Sequence, residues 1–135
     1  MIKAEFQALD VYGVYMPHKK KHLLFDYLNS IEFPKPSVIC GDFNSGMNHI
    51  DQKGNSFWYE ADLIKLLKNG FDDAFRVKHP DLLDYSWYSH QGNGFRYDHT
   101  YVSDMLSPIV TECYYDHHIR EAGISDHSPM ILRLG

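Results

Sequence analysis

The sequence predicts an α/β chain of the α+β kind, a mixed β-sheet with helices on one face. Three observations carry that reading. Apolar side chains alternate at period two on both faces of Leu9 to Met16, two stretches repeat apolar residues at three- and four-residue spacing, and four β-rich stretches crowd the second half. With 135 residues, 44% of them hydrophobic and 23% charged, the chain is sized for one domain and lies far from disordered or fibrous compositions. No internal repeat, low-complexity tract or linker interrupts it.

Leu9, Val11, Gly13 and Tyr15 alternate with Asp10, Tyr12, Val14 and Met16, which marks a strand covered on both sides, and Pro17 stops it. Lys19 to about Ile31 is a predicted helix, because Leu23, Leu24, Tyr27, Leu28 and Ile31 share one face; Phe33-Pro34-Lys35-Pro36 closes it. Ser37 to Gly41 is a short buried strand. Asn44 to Phe57 has a loop composition, with Gly46, Asn48, Gly54 and Asn55. Tyr59 to Asn69 is a second amphipathic helix, carrying Leu63, Leu66 and Leu67, and Asn69-Gly70 ends it. Strands are then expected at Tyr85 to Ser89, Phe95 to Ser103, Ile109 to Tyr115 and Pro129 to Leu134. The face of such a sheet that turns away from the helices must be buried against something.

Apolar runs such as Ser37-Val38-Ile39-Cys40 are a handful of residues, against the roughly 18–20 of a membrane-spanning helix, so no membrane association is expected. Met1 to Phe6 has no basic segment followed by an apolar one, hence no readable secretory signal. Cys40 and Cys113, in apolar and aromatic surroundings, read as reduced core residues and predict a cytoplasmic setting. Lysine and arginine total 13 against 18 acidic residues, a formal charge of −5. A chain that grips nucleic acid mainly by neutralising phosphates is usually basic, so any phosphate site here must be local. The candidates are Lys19-Lys20-Lys21-His22, Arg76, Lys78, Arg96 and Arg120, the lysine run reading first as a solvated helical turn. His-Glu-x-x-His, paired Cys-x-x-Cys, Gly-x-Ser-x-Gly and Gly-rich nucleotide loops are all missing, which argues against zinc, serine-nucleophile and Walker-type chemistry.

Three strings can carry chemistry. In Gly41-Asp42-Phe43-Asn44 a carboxylate and a carboxamide two residues apart project to one side at the end of a buried strand, although the same pair can simply cap a turn. In Arg96-Tyr97-Asp98, after the turn Gln91-Gly92-Asn93-Gly94, period two puts Arg96 and Asp98 on one side, where a structural ion pair is the competing reading. Ser125-Asp126-His127-Ser128-Pro129 could aim a carboxylate and an imidazole into one cleft, though a lone Asp-His pair is common.

Taken in order, Gly41-Asp42-Phe43-Asn44, Asp73-Ala74-Phe75-Arg76, Tyr85-Ser86-Trp87-Tyr88, Gly94-Phe95-Arg96-Tyr97-Asp98-His99 and Ser125-Asp126-His127 resemble the metal-dependent endonuclease/exonuclease/phosphatase superfamily, the group of exonuclease III and the abasic-site endonucleases. Tyr12-Gly13-Val14-Tyr15-Met16-Pro17 resembles its Tyr-x-Pro strand. The resemblance implies a phosphoester hydrolase, a phosphodiesterase or nuclease of the DNA-repair kind, acting on nucleic acid or another phosphodiester with Mg²⁺ or Mn²⁺. It implies that Asp42 orients or deprotonates the attacking water and that Asn44 holds water and a phosphate oxygen. His127 would touch the phosphoryl group with Asp98 fixing its tautomer, Asp126 would bind the cation, and Tyr15 would reach the scissile phosphate. Trp87 is the preferred base-stacking candidate over Trp58, and Arg96 and Asn48 join it as substrate-binding candidates.

The resemblance also implies half of a four-layer α-β-β-α sandwich. In the family a first half supplies an Asn-bearing strand and a Gln-Glu whose Glu is the principal metal ligand; nothing before Leu9 plays that part, and Glu5 lies in the wrong strand. Residues 1–135 therefore read as the C-terminal half of such a domain. Val11, Tyr15, Ile39, Trp87, Tyr101 and Ile131 would then contribute to an open apolar face, so a homo-oligomer or a separate N-terminal half is expected. The competing expectation is a catalytically incomplete half-domain that folds only with such a partner.

Overall fold

The computed structural model describes residues 1–135, and its strands are β1 (Ile2–Glu5), β2 (Asp10–Tyr15), β3 (Ser37–Asp42), β4 (Phe71–Asp73), β5 (Trp87–Tyr88), β6 (Gly94–Phe95), β7 (Asp98–Ser103), β8 (Val110–Tyr115) and β9 (Met130–Leu134). The main sheet has the order β1-β2-β3-β7-β4. Only β2 and β3 run parallel, so the sheet is mixed, as the alternating pattern of Leu9 to Met16 beside the apolar run at Ser37 to Gly41 predicts. β5 and β6 make a short ribbon, and β8 and β9 a hairpin that pairs only with itself. Gly41 is where β2 and β3 close up: it has φ 140°, and a Cβ there would lie 1.9 Å from the Val14 carbonyl oxygen.

Helices α1 (Lys21–Leu28) and α2 (Glu60–Lys68) cover one face. Phe25 and Leu28 of α1 and Leu63 and Leu66 of α2 pack on Tyr12, Val14, Ile39, Phe71 and Tyr101, the larger of two buried clusters. Full burial of each such side chain contributes about 1.5–3 kcal/mol, which is what holds these short helices in place. On the opposite face α3 (Ala74–Lys78) and the β8–β9 hairpin pack Phe75, Val110, Cys113 and Tyr115 against Val38 and Val102. A one-turn helix, α4 (His117–Glu121), joins β8 to the loop before β9. Cys40 and Cys113 are free thiols. No helix is long and apolar enough to cross a membrane.

The mixed sheet with α1 and α2 on one face matches expectation, and four details do not. Ile39 and Tyr101, expected on the open face, are buried under the helices because their register positions in β3 and β7 face α1 and α2. The strand expected at Tyr85 to Ser89 shrinks to β5. The strand expected from Phe95 to Ser103 breaks into β6 and β7, since Arg96 and Tyr97 leave the ladder and the Arg96 N–H is donated to the Asp51 carbonyl instead. β4, α3 and α4 are three to five residues long, too short for a periodic signal.

The break at Arg96 has a physical cause. Its guanidinium is fully buried and donates to both oxygens of Asp51, at 2.6 Å from Nε and 3.1 Å from Nη2, and to both of Asp73. Arg76 adds a 2.7 Å bond to Asp51, whose second oxygen also accepts the Met47 N–H at 2.8 Å. Gly46 must lack a side chain, since a Cβ would sit 2.8 Å from Asp51 Cβ and 3.0 Å from the Arg96 carbonyl oxygen. Burial opposes ionisation of Asp51, but the Arg96 charge outweighs it and holds the carboxyl at about 2. Removing one partner of a buried pair strands the other charge and costs roughly 3–5 kcal/mol. Asp51→Asn is therefore expected to lose about that much stability in urea unfolding at neutral pH. A folded-state value depressed from 3.8 to about 2 means that this contribution is complete above 3.8 and disappears as pH falls through about 2, so the wild-type advantage should shrink over that acid window.

Candidate active site

β2 and β3 run parallel and end together, with Tyr15 opposite Asp42, while β7 begins there in the antiparallel sense with Asp98 opposite Asp42. Register alone thus brings three predicted residues to one end of the sheet. His127 arrives from the loop between α4 and β9, and its Nδ1 lies 2.7 Å from Asp98 Oδ2. Asp42, Asp98 and His127 each present a ligating atom, all within 4.8 Å of one another. The two carboxylates, Asp42 and Asp98, offer the hard oxygen donors that suit a divalent cation. Asn44 completes the cluster, donating its N–H to Asp42 Oδ1 at 2.8 Å and its Nδ2 to the Met16 carbonyl at 2.7 Å and, longer, to Asp42 Oδ2 at 3.4 Å. It turns the chain with φ 45°, which asparagine tolerates better than most residues.

The electrostatics follow from this crowding. Burial pushes the Asp42 carboxyl up; the Asp98 charge adds to the rise and the Asn44 N–H partly offsets it. His127 is pushed above its ordinary value, first by its hydrogen bond to Asp98, so the imidazolium is favoured where negative charge collects. Nδ1 is committed to Asp98, which leaves Nε2 as the nitrogen available to a substrate.

The remaining predicted residues fall differently. Tyr15 stands at the strand end with its side chain 63% exposed. Trp87 lies 5.4 Å from the Tyr97 ring centroid and 5.9 Å from that of Phe95, and its Nε1 donates to Asp126 at 3.3 Å. Asp126 is thus turned toward Trp87, outside the three-residue cluster. Arg96 does not line a cleft: period two misplaces it because the strand breaks, and its buried guanidinium is spent on Asp51 and Asp73. Asn48 latches its own loop, bonding the Phe57 carbonyl and N–H, Glu60 and Gln52, so its side chain has no free group for a substrate. Among the basic candidates, Arg76 is likewise tied to Asp51.

Several contributors play parts that the sequence reading does not assign to them. Lys21 does not stay solvated with its neighbours: it is buried and its Nζ donates to the Asn44 carbonyl. Ser86 Oγ accepts the N–H groups of Tyr97 and Asp98 at 3.0 and 3.2 Å, and the Tyr115 hydroxyl donates to the Asp98 carbonyl at 2.5 Å. Behind His127, Ser128 Oγ bonds His117 Nδ1 at 2.8 Å and Arg120 Nε at 3.0 Å, while His117 Nε2 reaches Asp84 at 2.8 Å. His99 donates Nε2 to the Ser45 carbonyl at 2.7 Å and is kept below its ordinary value by burial and then by the Arg96 charge. The period-two and spacing rules that find Asp42 and Asn44 carry no signal for loop-to-loop contacts of this kind.

Because Asp98 raises His127, Asp98→Asn should move the His127 imidazole titration down toward that of a free histidine, read by NMR in metal-free buffer. An unmoved titration in a folded variant would show that the two side chains are not paired.

Comparison with known proteins places this geometry. The exodeoxyribonuclease of Bacillus subtilis (strain 168) is 28% identical over 98% of this chain, and the DNA repair nuclease APEX1 of Danio rerio is 31% identical over 99% of it. The chain spans 62% and 51% of the length of those two relatives. An AP endonuclease structure from Archaeoglobus fulgidus superposes with TM-score 0.81 at 26% identity, covering 98% of this chain and 63% of that one. A 3′–5′ exonuclease structure from Neisseria meningitidis, at 21% identity and TM-score 0.77, shares the fold. The model of the Endonuclease/Exonuclease/phosphatase family matches residues 7–127, from the turn before β2 to His127 itself, and the chain belongs to that family.

Proposed function

We propose that the strand-end cleft hydrolyses a phosphodiester in nucleic acid by attack of water on phosphorus, with Mg²⁺ or Mn²⁺ as cofactor. The convergence of Asp42, Asp98 and His127 within 4.8 Å carries this reading. Asp42, fixed at the end of β3 with one oxygen bonded to the Asn44 N–H, orients the attacking water and takes its proton. The water oxygen bonds to phosphorus, the bond to the leaving oxygen breaks, and that oxygen takes up a proton from solvent. His127, charged against Asp98, offers Nε2–H to a non-bridging phosphate oxygen where negative charge grows. Asn44 keeps the Asp42 carboxylate in one orientation, and Tyr15 stands at the rim with a phenol for the phosphate. A divalent cation held by Asp42 and Asp98 would neutralise the phosphate and stabilise the leaving oxygen, and Asp126 would join it only by turning away from Trp87. Trp87, Phe95 and Tyr97 stack beside the cleft and would take a base or sugar face. The relatives named as an exodeoxyribonuclease and a DNA repair nuclease support a nucleic-acid substrate. Two free thiols support a reducing, cytoplasmic setting.

Mg²⁺-dependent cleavage of DNA and RNA oligonucleotides by the purified chain tests this. Asp42→Asn and His127→Ala should each lower the rate by about 10²–10⁴-fold. Equal background cleavage by all three proteins would remove the enzymatic reading.

A second reading is favoured by one observation. Leu9, Val11, Val38, Cys40, Met130, Leu132 and Leu134 line an apolar groove of about 280 Å³ on the face opposite α1 and α2, beside the β8–β9 hairpin. Such a face is covered if the chain works as a half-domain, either paired with a second copy or with a separate first half. Sedimentation should then show self-association rising with concentration or capture of an added first half; a well-folded monomer throughout would count against it.

A further inference from the structure

Trp58 is 89% exposed, the most exposed of the large apolar side chains. It borders a pocket of about 250 Å³ whose walls include Tyr59, Tyr97, His18, Lys21 and Asn44. The volume is below the roughly 300–1,000 Å³ of pockets that enclose whole small molecules, and suits a single ring system. Two features give the pocket polarity. Lys21 Nζ lies 5.5 Å from the Tyr59 ring centroid and donates to the Asn44 carbonyl, and Asn44 in turn holds the Asp42 carboxylate. The pocket therefore opens directly beside the place where the proposed reaction puts its phosphate.

A large exposed indole gives up most of the gain from burying it, and an aromatic face beside a cationic group suits a planar base attached to a phosphate. The overall charge of −5 weakens binding that relies on phosphate neutralisation, so contacts that do not depend on charge weigh more. Bases inside a duplex are already stacked on their neighbours and are not free to lie on a side chain. We propose that Trp58 and the pocket it borders form a stacking subsite for one unpaired base of the strand whose phosphate lies at the Asp42, Asp98 and His127 cluster, so that the chain takes single-stranded nucleic acid or frayed ends in preference to blunt duplex. This deepens the hydrolase reading and rests on it for the position of the phosphate.

Tryptophan fluorescence of the whole chain, titrated in EDTA with oligothymidylate or with blunt duplex of the same length, reads binding without cleavage. Oligothymidylate should give a saturable quench and duplex a much weaker one. The chain has two tryptophans, so Trp87→Phe, which keeps an aromatic face at that rim position, leaves Trp58 as the single reporter and reads at saturating oligothymidylate whether the Trp58 indole itself is quenched. Trp58→Ala, exposed and so not expected to disturb folding, should bind oligothymidylate roughly ten- to hundredfold more weakly, and Trp58→Phe should recover most of the loss. Unchanged affinity in Trp58→Ala, duplex binding as tight as single strand, or a Trp58-dependent self-association with no quench by nucleic acid would each overturn the subsite. Trp58-dependent quenching without any hydrolysis would sink the hydrolase reading alone, and hydrolysis with Trp58-independent binding would sink the subsite alone.

Discussion

The fully buried Arg96 guanidinium, shared between Asp51 and Asp73, is the constraint on which the rest of the molecule depends. It ties together three segments that no ladder joins: the loop after β3, the junction of β4 with α3, and the gap between β6 and β7. Two of them, the loop after β3 and the gap before β7, lead directly to the cleft. Asp98 follows Arg96 by two positions, and the loop that holds Asp51 starts at Asn44. A charge in the interior is costly unless every donor is met, and Arg96 meets Asp51 in a two-pronged geometry that lysine could not reproduce. The Asp73 side chain also caps α3 through the N–H groups of Phe75 and Arg76, so a single carboxylate serves a helix and the ion pair together.

With those segments fixed, sheet register does the rest. A parallel pair beside an antiparallel one brings the ends of β2 and β3 to the start of β7, which sets Tyr15, Asp42 and Asp98 side by side without any further device. His127 is the exception, because it sits on a loop and must be held from behind. Ser128, buried and bonded to both His117 and Arg120, supplies that hold, and its N–H is donated to the Ser86 carbonyl, the residue whose hydroxyl also anchors Asp98. The dyad is therefore braced at both members.

Much of this was legible in the sequence, for reasons that also explain what was not. Asp42 and Asn44 are legible as a polar pair closing an apolar run, but β3 ends at Asp42 and Asn44 turns the chain with φ 45° under an Asp42 cap, so it is the turn and not strand alternation that brings them together; α1 and α2 are legible because their apolar stripes are long enough to show a period. Arg96 misled because period two assumes an unbroken strand, and the strand breaks where its side chain turns inward. Asn48 looked like a polar loop residue open to a substrate, whereas its amide is consumed within the loop. Lys21 was hidden in a run of like residues: only the orientation of α1 selects which of them turns inward. Trp58 and Trp87 are the same letter, and exposure that separates them is a tertiary property.

Asp42 and Asp98 are held opposite each other by register, and burial first, with the Asp98 charge adding to it, pushes the Asp42 carboxyl up. That arrangement is unfavourable for a resting protein and would be poor company for a phosphate unless positive charge is brought in. The imidazolium of His127 supplies part of it, being favoured by the same Asp98 that crowds Asp42. A cation held between the carboxylates would supply the rest. An acidic chain can thus create a phosphate-binding point without a basic surface, because the positive charge is gathered at one spot by two carboxylates. On the proposed reading, a chain of net charge −5 keeps little long-range attraction for the rest of a bound strand, and aromatic faces such as those around Trp87 would hold it instead.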